Sequence, residues 1–171
     1  MKKKLQNFWY YHKVHVIIIL AVLAAGLWFC LQDRKTTVPD YHAAIVSPRG
    51  CPDEQLAKLR SVLEGAGQDQ NGDGLVSVTV QVYRFAIGED GQERTEIAKL
   101  DADLVGKQSG VFFVEDPEKF EEATNGIGKA ADAVPVGDIP PLSGCGIDGL
   151  YLLLRNGADP KYADLLSALT K

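Results

Sequence analysis

With 171 residues, 46% of them hydrophobic, and a formal net charge of −5, the chain has room for one globular domain and lacks the basic surplus that nucleic acid selects. Four of the 18 basic residues precede residue 32, whereas all 23 acidic residues follow residue 31, so the segment from 32 onward carries −9. That balance disfavours nucleic acid and anionic lipid as partners of that segment. Cations, basic proteins or small molecules remain, as does a merely solvated acidic surface.

Residues 14–31 are apolar except for His15 and, at about 1.5 Å per residue, reach about 27 Å, close to the thickness of a hydrocarbon core. Phe8, Trp9, Tyr10 and Tyr11 ahead of the run, and Trp28 and Phe29 near its end, are the aromatics that gather at headgroup depth. Lys2, Lys3, Lys4 and Lys13 precede it and only Arg34 and Lys35 follow closely, which orients the N-terminus to the cytoplasm. The expected organisation is a cytoplasmic basic segment (1–13), a single-pass transmembrane anchor (14–31), a stalk (32–40) and an extracellular domain (41–171) held at the cell membrane. A signal peptide cleaved near Ala24-Ala25-Gly26 is the alternative, but the apolar run continues past that point to Leu31.

In the domain, Tyr41-His42-Ala43-Ala44-Ile45-Val46 has the composition of a strand stopped by Ser47-Pro48-Arg49-Gly50. Pro52 at the first helical position, with Asp53 and Glu54 behind it, opens a helix that points Leu56, Leu59 and Leu63 to one side and stops at Gly65 or Gly67. Val76, Val78, Val80 and Val82 alternate with polar residues in the clearest strand of the chain. The alternation shifts at Tyr83, Phe85 and Ile87, which suggests a bulge or burial on both faces. Ile97, Leu100 and Leu104 predict a helix over about 93–107, and Val111-Phe112-Phe113-Val114 a short core strand.

Asp116-Pro117 starts a further helix that carries Phe120 inward. Residues 125–149, rich in Gly and Pro, read as a long irregular loop. A late strand over 150–154, a turn at Asn156-Gly157 and a last helix capped by Asp159-Pro160 complete the order. Strands alternating with helices predict an α/β domain whose one sheet, of about four strands, is mostly parallel or else mixed, with helices packed against it.

His42 is the single histidine after residue 31, and no G-x-S-x-G, Cys-x-x-Cys, phosphate-loop or S-x-x-K pattern occurs. Two features stand above this background. Asp69, Asn71 and Asp73 occupy positions 1, 3 and 5 of a calcium-loop pattern, with Gly74 at 6, the Leu75 carbonyl at 7 and Ser77 at 9. Position 12 is Val80 rather than a bidentate Glu, so the stretch is either a weak calcium site or the turn that leads into the strand. Calcium is the one cofactor it implies.

Cys51 and Cys145 are the thiols of the domain. An extracellular pair suggests a disulfide closing a loop of about 95 residues. Alternatively, Cys51 beside a helix N-terminus and Arg49 acquires a lowered pKa and serves as the nucleophile of a thiol enzyme.

Asp69-Gln-Asn-Gly-Asp-Gly with the valine strand behind it, and Ser109-Gly-Val-Phe-Phe-Val-Glu-Asp-Pro-Glu downstream, resemble short uncharacterised membrane-anchored extracytoplasmic proteins of Gram-positive bacteria along the whole length of the chain. The resemblance implies no activity. The element order is more weakly similar to one lobe of an extracellular solute-binding protein, without the second lobe and hinge that trap a ligand. The function expected is non-catalytic binding of a partner protein or small ligand outside the membrane.

Overall fold

The computed structural model describes residues 18, 19, 21–24, 26, 38–84 and 94–170. Most of the anchor expected at 14–31 lies outside the described residues. Those it includes, 18, 19, 21–24 and 26, are helical, and among the described residues no helix is long and apolar enough to cross a membrane. Residues 38–171 form a compact unit of their own.

Among the described residues five strands build one sheet, β1 (Tyr41–Val46), β2 (Val78–Tyr83), β3 (Val111–Val114), β4 (Val134–Pro135) and β5 (Tyr151–Leu154), in the order β2-β1-β3-β5-β4. β1 pairs in parallel with β2 and β3, while β5 runs antiparallel to both β3 and β4. The class is α/β, and the sheet is mixed. Every residue of β3 is buried, which explains its continuous apolar run, since a central strand covered on both faces needs no polar alternation.

Side-chain alternation divides the core. Tyr41, Ala43, Ile45, Val111 and Phe113 enter one cluster, whereas Ala44, Val46, Phe112 and Val114 enter the other. Helices α1 (Asp53–Ala66) and α4 (Pro160–Leu169) cover the first face with Leu59, Leu63, Leu165 and Leu169, joined by Ile139, Leu142 and Ile147 from the long loop. Helices α2 (Arg94–Gly106) and α3 (Pro117–Ala123) cover the second with Leu100, Leu104 and Phe120. Asp116 and Asp159 cap α3 and α4 by accepting from Lys119 N and Lys161 N, with proline next in each helix.

The structure differs from expectation in a few particulars. Pro52 is the N-cap of α1 rather than its first helical residue, and β2 begins at Val78, leaving Val76 outside the strand. Phe85 and Ile87, where the alternation shifts, lie outside the described residues. The loop expected over 125–149 contains β4 and two 3-10 turns, Ala130–Asp132 and Val136–Asp138, so the described residues hold five strands instead of about four. A two-residue strand is too short for any periodicity, and Pro135 fits only because β4 is an edge.

Candidate functional site

From β1 the chain passes through α1 to β2 on one side, then through α2 to β3 on the other. The connections thus diverge between β1 and β3, and in open α/β sheets the carboxyl ends of the strands at such a point border a crevice. Here the crevice is a cleft of about 590 Å³ lined by Ser47, Arg49, Gln55, Glu115, Ile147 and Leu150 together with glycine backbone.

Ser47 and Glu115 are the residues immediately after β1 and β3, and the Ser47 hydroxyl donates to Glu115 Oε1 at 2.7 Å. Ser47 also holds the following turn, since its Oγ accepts from Arg49 N at 3.3 Å and its carbonyl from Gly50 N at 3.0 Å. Gly50 has φ +66°, and a Cβ there would lie 2.7 Å from Arg84 Nε, so the absence of a side chain lets Arg84 pack over the turn. Pro52 gives α1 no side-chain cap, which leaves amides of its first turn free beside the cleft. Opposite, Gly146 has φ +81° and meets Gln55, where a Cβ would come within 2.6 Å of the Nε2. The loop carrying Ile147 is thereby the second wall.

Cys51 and Cys145 are both free and both 4% exposed, and they belong to the same buried cluster. Burial pushes the Cys51 thiol up, and the charges of Asp53 and Cys145 add to the effect. Cys145 is raised by burial and by Asp148, with Lys58 opposing. The lowered pKa expected for Cys51 at a helix N-terminus is therefore replaced by a raised one, with burial as the largest cause.

The stretch 69–77 is a closed turn. Asp69 accepts from Gly72 N at 2.7 Å and Gly74 N at 2.8 Å, Asn71 Oδ1 from Asp73 N at 2.8 Å, and Asp73 Oδ1 from Leu75 N at 2.8 Å. Buried Asp40, the last residue of the expected stalk, is tied into this turn. It accepts from Gln70 N, Asn71 N and Ser77 N. Among the described residues no three His, Cys, Asp or Glu side chains are grouped to hold a metal ion.

Of the residues singled out by sequence, the fold brings Cys51 and Cys145 into one cluster and leaves the acidic turn separate from the cleft. Ser47, Gln55 and Glu115 were missed, and no local signal marks them, because their meeting depends on the strand order. No protein-family model, no curated protein and no solved structure matches the chain.

Proposed function

We propose that the chain is a single-pass membrane protein, anchored by residues 14–31 with its N-terminus in the cytoplasm, whose extracellular α/β domain binds a small polar ligand without catalysis. The cleft between the carboxyl ends of β1 and β3 carries this reading. It sets a guanidinium (Arg49), a carboxylate (Glu115), a carboxamide (Gln55) and uncapped helix amides beside apolar Ile147 and Leu150. Convergent donors and acceptors over a small apolar surface suit a ligand with groups of both kinds.

The competing reading is a thiol enzyme based on Cys51. Burial and the raised thiol pKa weigh against it.

The test is calorimetric titration of the full chain in detergent with amino acids, monosaccharides and short peptides. Saturable binding by one class, weakened at least tenfold by Arg49→Ala or Glu115→Gln, supports the cleft as the site. Binding untouched by both substitutions, or none across the panel, overturns it. Membrane attachment is read separately, by resistance to alkaline carbonate extraction and by protease accessibility of the domain in intact cells.

A further inference from the structure

Cys51 and Cys145 are each next in sequence to residues that line the cleft. Cys51 lies between Gly50 and Pro52, which line it from the α1 side, and Cys145 precedes Gly146 and Ile147, which line it from the loop side. Contact between Gly146 and Gln55 presses that loop against the first turn of α1. Both cysteines are buried in one cluster. Glycines in the left-handed region flank Cys145, Gly144 with φ +90° and Gly146 with φ +81°, and supply the backbone freedom a sulfur needs to reach bonding geometry.

We propose that Cys51 and Cys145 form a reversible disulfide that locks the 136–150 loop onto the start of α1 and so fixes the width of the cleft. The bridge stands on the cysteine geometry alone; its effect on ligand capture rests on the binding reading above.

The oxidant is a disulfide, either a small-molecule one or that of an extracytoplasmic dithiol oxidase. One protein thiol loses its proton, and the thiolate attacks the oxidant's S–S bond. A mixed disulfide forms and one oxidant thiolate leaves. The second protein thiolate then displaces the remaining oxidant thiolate, so the protein gives up two protons and two electrons and two oxidant thiols appear. Raised thiol pKa values make this closure slow, and burial shields the finished bridge from reductant.

The experiment uses the full chain with Cys30→Ser, purified in detergent and incubated with oxidised glutathione or with a phosphine reductant. The expected product is a monomer lighter by two hydrogens whose digest contains a peptide joining Cys51 to Cys145. Its thermal midpoint should lie several degrees above that of the reduced protein, and amide exchange over 144–150 should be at least tenfold slower. Cys51→Ser and Cys145→Ser should each abolish the response to oxidant, while the reductant arm on the unsubstituted pair gives the comparison if either variant folds poorly. Two alkylatable thiols after prolonged oxidation, or disulfides only between chains, would overturn the bridge whatever the ligand panel shows. A bridge that forms without slowing exchange in the loop would overturn the lock.

Discussion

The Ser47 hydroxyl donates to Glu115 across 2.7 Å and so links the first residues beyond two adjacent parallel strands. Ser47 is buried and Glu115 exposed, so the bond has one dry and one wet end. Replacing Ser47 by Ala should cost about 0.5–1.5 kcal/mol, the net worth of a hydrogen bond partly repaid by water. Urea denaturation measures it. A loss well above that range would mean that the turn over 47–50 collapses with the hydroxyl.

Gly110 sits where a Cβ would run into the Tyr162 ring. Tyr162 cannot easily withdraw, because its hydroxyl accepts from His42 N at 3.1 Å and its ring packs edge-on against Tyr41 at 5.7 Å between centroids. Gly110→Ala should destabilise the domain by about 1–3 kcal/mol through overpacking. A midpoint equal to the wild type would show that α4 can shift outward without cost.

Much of the fold is legible because local chemistry and tertiary demand agree. Asp116-Pro117 and Asp159-Pro160 start helices where their caps say, and the uniform apolarity of residues 111–114 already tells of a strand covered on both faces. The reversal of β5 has no such signature, since four apolar residues look the same in either direction and its antiparallel pairing follows from the path of the preceding loop. Asp40 is illegible for a related reason. Its partners lie 30 to 37 residues away, so nothing near it in sequence distinguishes a stalk residue from a buried anchor of the 70–77 turn. The cleft is the extreme case, assembled from three separate segments by the strand order alone.

Asp40 is 2% exposed, and its carboxylate accepts from Gln70 N at 2.8 Å, Asn71 N at 3.1 Å and Ser77 N at 2.8 Å. Burial is the largest single influence and raises its pKa, but the Ser77, Gln70 and Asn71 amides and the Ser77 hydroxyl together more than offset it, so the group lies below the ordinary 3.8. A lowered acid contributes stability above its unfolded pKa and loses it as pH falls through the folded one. Asp40→Asn should therefore cost about 2–4 kcal/mol at neutral pH and erase part of the stability loss seen below about pH 4. Equal acid sensitivity in the two proteins would assign that loss to other carboxyls.

His42 is also shifted down, but here by burial itself. Burial lowers its pKa below 6.5, with Asp103 raising it and Lys161 lowering it again. The folded protein then binds fewer protons than the unfolded chain just below pH 6.5, so stability should decline as pH falls from about 6.5 and level off once the folded-state pKa is passed. Thermal midpoints between pH 8 and pH 5 should show this decline in the wild type and less of it in His42→Gln. An identical slope in both would remove His42 as the cause.

The acidic turn offers the last test. Asp69 already spends both carboxylate oxygens on the amides of Gly72 and Gly74, and Asn71 and Asp73 each hold an amide two residues on. Such bonds close a turn without a cation, and each oxygen keeps a second lone pair, so the decisive feature is the closing ligand. Position 12 of the pattern is Val80, which is 7% exposed and part of the core of β2, and it offers no side-chain oxygen. Any binding at Asp69, Asn71, Asp73 and the Leu75 carbonyl should then be no tighter than the millimolar range of weak extracellular modules. Unfolding of the full chain followed in 1 mM calcium (about the dissociation constant at best) or in chelator should give midpoints that differ by less than about 0.4 kcal/mol in stability, the mass-action gain at that ratio. A larger stabilisation that Asp73→Ala removes would make the turn a calcium site and require a carboxylate from elsewhere to complete it.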